Sequence, residues 1–324
     1  MKSSIFLFCI ALALNTFSQD LSDIGLNNPE PFVGLEERID NRDKIKVAVI
    51  DSGVDYNHPY LSEHISYDLN YPLGFDINEQ DKLPYDNHYG YKPQFQETKP
   101  VEGGWGNLRS IGNSLLNNSL EVLKSLMLMG SPGHGTHVSG IVIDNCQNTC
   151  SIFPVKVFGK NELKPQFLID AIEAADQAGV KVINMSLGIF EEHVPNKHDF
   201  ENLKKVILEK SHIIFVVAAG NDGQDLGGRT KGRVFPAMIN AEHIITVGSH
   251  DQHGDMSKFS NFSNDYVDTF ALGEDVLSTW PEGETKALSG TSMASPKVAG
   301  EISSLWNNHR NKSASEIVQL FLSQ

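Results

Sequence analysis

From Lys46 onward, short apolar runs alternate with stretches whose apolar residues return every three or four positions. "KVAVI", "SIFPVKVF", "KVINMSL", "HIIFVVAAG" and "HIITVGS" have the length and apolar content of buried strands, whereas "QFLIDAIEAADQAG" and "FENLKKVILEKS" carry helical spacing. The alternation predicts an α/β fold, a mostly parallel central sheet with helices on both faces. Ligands of such sheets sit beyond the carboxyl ends of the strands. Two polar residues fall there: Asp51, closing the apolar run of "KVAVIDSGVD", and Asn221, just after "FVVAAG". A buried, unpaired carboxylate is costly, so Asp51 needs a reason. Four are open: half of an aspartic-protease pair, a metal or nucleotide ligand, an acid that orients a histidine, or a turn cap.

The first residues, "MKSSIFLFCIALALNTFSQD", have an early lysine, an apolar stretch from Ile5 to Leu14, and small residues before Gln19. This is the pattern of a secretory signal peptide over 1–18 and is too short to span a membrane. The expected product is exported, extracellular or periplasmic. Removal of 1–18 takes Lys2 with it and leaves 25 basic against 41 acidic residues. That balance, with no basic stripe, argues against nucleic acid and anionic membranes as partners. Cys146 and Cys150 remain, in "CQNTC". In an oxidising compartment, with no cysteine or histidine partners at zinc spacing, they predict a local disulfide rather than a metal site.

Residues 19–44 are polar and read as an N-terminal arm, ahead of a single domain over 45–324. Three further segments carry chemistry: "SPGHGTHVSGIVI" around His134, "AAGNDG" around Asn221, and "LSGTSMASPKVAGEISSLW", where a helix starts near Ser292. Each alone has an ordinary structural explanation. Together they supply what acyl transfer needs: a hydroxyl nucleophile, a base for its proton, an acid to fix the base's tautomer, and donors for an oxyanion. Pro296 is expected to be tolerated as part of that helix's first turn.

At this point the chain resembles the subtilisin-like serine proteases, the subtilase family. The resemblance rests on "VIDSGVDYNHPYL", "GHGTHVSG", "NMSLG", "AAGNDG" and "SGTSMASP", in that order, and it covers about 45–324. It implies a three-layer subtilisin-like fold and a secreted serine endopeptidase acting on protein or peptide as a monomer. By the same resemblance Asp51 is the orienting acid, His134 the general base and acid, Ser292 the nucleophile and Asn221 an oxyanion donor. Ser186, Leu187 and Gly188 would line the substrate near the primary specificity pocket. A pepsin-like enzyme needs a second Asp-Ser/Thr-Gly element, and an α/β-hydrolase runs Ser, Asp, His with a Gly-x-Ser-x-Gly elbow. The alternative from another class is a non-catalytic subtilase relative that binds peptide.

The chain departs from that family in several places. An insertion at about 87–131 separates Asp51 from His134, and Leu116, Leu120, Leu123 and Met127 within it share one helical face. The substrate-pairing edge reads "FGKNELKPQF" where the family carries glycines. Asp222 would favour basic side chains near the primary pocket, while Arg229, Lys231 and Arg233 would favour acidic ones. Tyr60 stands where the family's main calcium site has an aspartate, and a neutral phenol is a poor ligand for that hard cation. The expectation is therefore no required cofactor, no metal at that site, and the Cys146–Cys150 turn in its place.

Overall fold

A computed structural model of the chain describes residues 43–66, 74–79, 84–86, 132–159, 163–191, 196–228 and 233–324. The expected signal sequence, nearly all of the expected arm, and the expected insertion, with the helical face of Leu116, Leu120, Leu123 and Met127, lie outside these residues. Along the chain the elements are β1 (Ile45–Asp51), β2 (Phe75–Asp76), α1 (His134–Asn145), β3 (Cys150–Lys156), α2 (Pro165–Gln177), β4 (Val182–Met185), β5 (Ile189–Phe190), α3 (Lys197–Glu209), β6 (Ile214–Ala218), β7 (Val234–Phe235), β8 (Ile244–His250), β9 (Thr269–Leu272), β10 (Val276–Trp280), β11 (Glu284–Leu288), α4 (Thr291–Asn308) and α5 (Ala314–Leu322).

Seven strands form one sheet in the order β2-β3-β1-β4-β6-β8-β9, and every pairing in it is parallel. The apolar runs of β1, β4 and β6 are buried on both faces, and β1 shows how they are shared. Its Val47 and Val49 join Val138, Val142, Val298, Ile302 and Ile317 on the side of α1, α4 and α5. Ala48 and Ile50 face the other way, among Leu168, Ile172, Phe200 and Leu203 of α2 and α3. The period-two alternation of a strand thus feeds two cores, giving the three-layer α/β architecture expected from the sequence.

Strand order decides where the site can form. The chain runs from β1 to the sheet edge at β2, comes back to β3 beside β1, and then crosses to place β4 on the opposite side of β1. The direction of winding therefore changes at β1, and a crevice opens beyond the carboxyl ends of β1, β4 and β6. Asp51 ends β1, Ser186 follows β4, and Asn221 lies just beyond β6. The antiparallel hairpin β10–β11, which apolar runs alone do not reveal, fastens onto α1. Ser278 Oγ donates to the His137 carbonyl (2.8 Å) and Thr279 Oγ1 to the Thr136 carbonyl (2.7 Å). At the far end of α1, Cys146 and Cys150 are joined by a disulfide across the turn into β3.

Candidate active site

Asp51 and His134 meet because two glycines let their segments approach. Gly53 has φ +102°, and a Cβ there would sit 2.5 Å from the Pro84 carbonyl oxygen. At Gly135 a Cβ would come within 2.1 Å of the Gly53 carbonyl oxygen. No larger residue fits either place without moving backbone. His134 is thereby the first residue of α1, and its Nδ1 lies 2.8 and 2.9 Å from Asp51 Oδ1 and Oδ2. Both side chains are buried. A carboxylate on Nδ1 places that ring proton on Nδ1 and leaves Nε2 as the acceptor. Burial alone pulls the imidazole pKa down, but the charge and hydrogen bond of Asp51, with the charge of Asp86, outweigh it and hold His134 above its ordinary value.

Ser292 is the second residue of α4, where backbone N–H groups have no intrahelical acceptor. The side chain of Asn221 lies close to this helix start. A Cβ at Gly290 would lie 3.6 Å from Asn221 Nδ2 and 3.7 Å from Ser292 N. Asn221 is turned this way by Thr291, whose N–H (2.8 Å) and hydroxyl (3.0 Å) both donate to Asn221 Oδ1. The Thr291 hydroxyl in turn accepts from Gly220 N–H (3.1 Å). Two N–H donors close together beside a hydroxyl are what an oxyanion site needs.

The Ser292 hydroxyl itself donates to the Ser186 carbonyl (3.2 Å), and no hydrogen bond joins it to His134. Ser186 answers with its own hydroxyl, which donates to the Ser292 carbonyl (2.9 Å) and lies 3.0 Å from Ser295 Oγ. That carbonyl is available because of Pro296. With α4 starting at Thr291, Pro296 is not in the first turn, contrary to the sequence-based expectation; it removes the N–H that would have bonded the carbonyl of Ser292. Ser186 satisfies the acceptor that Pro296 leaves without a helical partner.

The other candidate residues divide. The side chain of Leu187 is buried in the α2/α3 core, so only its backbone is available to a ligand. At Gly188 a Cβ would stand 3.1 Å from Val234 Cγ1. Nearby, Phe190, Asp222, Leu226, Val234, Met238 and Asn261 line a cavity. Arg233 is committed to Glu191 through two hydrogen bonds of 3.0 and 2.8 Å, which removes it as a free cation there. Arg229 and Lys231 lie outside the described residues. Tyr60 donates to Asp144 Oδ1 (2.6 Å), and burial followed by that hydrogen bond pushes its pKa up to about 12, so it remains a phenol. This does not fit a calcium ligand. Among the described residues no cluster of three or more His, Cys, Asp or Glu side chains is placed to hold a metal.

The subtilase family model matches residues 42–324, and the chain belongs to that family. It is 33% identical to an intracellular serine protease of Paenibacillus polymyxa over 80% of this chain and 65% of that protein. It is 36% identical to the major intracellular serine protease of Bacillus subtilis (strain 168), over 52% of this chain and 54% of that protein. The chain thus spans just under two thirds of the first relative's length and about half of the second's. Among solved structures it resembles a cold adapted subtilisin-like serine proteinase with a TM-score of 0.61, at 24% identity over 86% of this chain and 81% of that one. A leader peptide processing serine protease from Staphylococcus aureus matches with the same TM-score, at 25% identity over 86% of this chain and 69% of that one.

Proposed function

We propose that the chain is a serine endopeptidase. The observation that carries this reading is the Asp51–His134 pair, 2.8 Å apart at the start of α1, a helix that packs against α4, which carries Ser292 near its own start. In the proposed reaction Ser292 Oγ attacks the scissile carbonyl while His134 Nε2 takes its proton. Asp51 holds the Nδ1–H and stabilises the imidazolium; Asn221 Nδ2 and Ser292 N–H donate to the new oxyanion. His134 returns the proton to the leaving amine as the C–N bond breaks. Water, activated by His134, then cleaves the acyl-serine ester. Before the first step the hydroxyl must turn from the Ser186 carbonyl toward His134. Substrate backbone is proposed to run along Ser186, Leu187 and Gly188.

The hydroxyl's bond to Ser186 is also the one observation that favours the second reading, a peptide-binding relative without catalysis. An organophosphorus serine reagent separates the two, because only an activated Ser292 reacts. Replacing Ser292 by Ala tests the enzyme reading: peptide hydrolysis should vanish with the fold retained.

Partner, cofactor and location follow as proposals. The substrate is protein or peptide, and the chain acts as a monomer without a required cofactor or the family's main calcium ion. Tyr60 paired with Asp144, and the adjacent disulfide, support that last point. Export rests on residues 1–18 and on the disulfide, against two relatives named as intracellular. No helix among the described residues is long and apolar enough to cross a membrane. Asp222 in the cavity, with Arg233 engaged elsewhere, supports a preference for basic side chains, which cleavage-site profiling on a peptide library would test.

A further inference from the structure

Asp86 has no part in the chemistry proposed above, yet it is almost fully buried and both its oxygens are in use. Oδ1 accepts from Gly133 N–H (2.7 Å) and from the Ser52 hydroxyl (3.1 Å). Oδ2 accepts from Thr136 N–H (3.1 Å) and from the Thr136 hydroxyl (2.7 Å). Gly133 and Thr136 flank His134, and Ser52 follows Asp51. Ser52 also completes a bridge of its own. Its N–H donates to Asp51 Oδ1 (2.7 Å), and its oxygen accepts from Gly135 N–H (2.9 Å).

One carboxylate therefore touches both chain segments whose approach makes the Asp51–His134 pair. A carboxylate suits the place as no neutral side chain does. It is acceptor-only and takes four donors, whereas an amide would turn N–H against at least one of them. Burial drives the pKa of Asp86 up to about 7, against the pull of the Gly133 and Thr136 hydrogen bonds, so the group is held there at a cost. Its position in the chain adds a second point. Asp86 directly precedes the insertion at about 87–131 and bonds Gly133 just after it, so the two flanks are fixed to each other.

We infer that Asp86 is a positioning residue for His134, which sets the Asp51–His134 geometry through Ser52 and the first turn of α1. The inference rests on the serine-protease reading. It predicts a pH signature as well as a rate, because Asp86, once ionised, adds its negative charge to that of Asp51 on His134. His137, which also interacts electrostatically with His134, is held neutral by burial.

The test uses the purified full chain. Asp86→Asn should lower kcat on the order of 10²-fold, the scale of a 1 Å misplacement, with KM little changed. The acid limb of kcat/KM should move to lower pH as one negative charge beside His134 is lost. Thr136→Ser, which keeps the hydroxyl donor, should retain most of the activity, and Thr136→Val should not; this pair carries the test if Asp86→Asn fails to fold. A folded Asp86→Asn with parental kcat and acid limb overturns the inference, as does a Thr136→Val as active as Thr136→Ser. A parent chain that neither hydrolyses peptide nor takes an organophosphorus label overturns the functional reading first, and this one with it.

Discussion

Ser186 and Ser292 hold each other reciprocally: each hydroxyl donates to the other's backbone carbonyl, at 2.9 and 3.2 Å. The Ser186 hydroxyl secures the start of α4, while the Ser186 carbonyl takes the proposed nucleophile's hydroxyl at rest. Removing the first of these bonds leaves the Ser292 carbonyl without a donor and loosens the N–H proposed to face the oxyanion. Ser186→Ala should therefore reduce kcat by about tenfold, the equivalent of one net buried hydrogen bond of about 1.4 kcal/mol, with little change in KM. Steady-state kinetics on a peptide substrate checks the split; a rise in KM alone would assign Ser186 to substrate binding instead.

Asn221 and Thr291 form a graded pair. Asn221→Ala removes an oxyanion donor outright and should lower turnover about 10²- to 10³-fold, a magnitude borrowed from a subtilisin. Thr291→Val removes only the hydroxyl and leaves the Thr291 N–H on Asn221 Oδ1. Its loss should be smaller, and it should add almost nothing in the double variant, because both changes act through the same amide. Full additivity in that double-mutant cycle would show that Thr291 works through something other than Asn221.

The chemistry was more legible in the sequence than the scaffold that holds it. Asp51, His134, Asn221 and Ser292 sit in short motifs whose residue types suggest the acyl transfer proposed above, and the parallel sheet follows from its apolar runs. What positions these groups was hidden. Asp86 is one acid in "KLPYD", separated from the histidine segment it clamps by the insertion, so no local pattern links them. The role of the Ser186 hydroxyl depends on which carbonyl Pro296 leaves open, and hence on where α4 begins. The hairpin β10–β11 is short and half exposed; only "PEG" at its turn marks it. Hydrogen bonds across the fold have no period in the chain.

The pH dependence of activity should sit higher than an unperturbed imidazole would place it. His134 is raised above 6.5 chiefly by Asp51, and it must be neutral to act as base. The acid limb of kcat/KM should therefore have its midpoint above pH 6.5, the ordinary imidazole value. A midpoint below 6 would contradict the Asp51–His134 interaction. The same shift has a stability sign: the paired imidazolium stabilises the fold below pH 6.5, and this contribution fades as pH rises through the raised pKa.

His137 should act in the opposite direction. Burial lowers its pKa to about 4, despite hydrogen bonds that include one to the Lys286 carbonyl. Its contribution is present above pH 6.5 and is lost as pH falls from there to about 4. The difference corresponds to about 3 kcal/mol. Thermal melts should show His137→Gln losing less Tm than the parent between pH 6.5 and 4. Equal losses in the two proteins would mean that His137 stays uncoupled from folding.

The turn between α1 and β3 should depend on its disulfide rather than on calcium. A five-residue ring gives about 2 kcal/mol from chain entropy alone. With Tyr60 spent on Asp144, EDTA should shift the melting temperature little, whereas a reductant should lower it by several degrees. A large drop with EDTA, with free thiols at Cys146 and Cys150, would reverse this assignment.

The central claim, that Asp51, His134 and Ser292 act as one nucleophilic unit, is tested most directly by the rate of labelling with an organophosphorus serine reagent, followed by mass spectrometry of the modified peptide. The parent should be labelled at a single residue, Ser292, with a rate that rises with pH along the same limb as kcat/KM. Asp51→Asn and His134→Ala should label far more slowly, and Ser292→Ala not at all. A folded parent that stays unlabelled, or is labelled at another serine while hydrolysing peptide, would contradict the account.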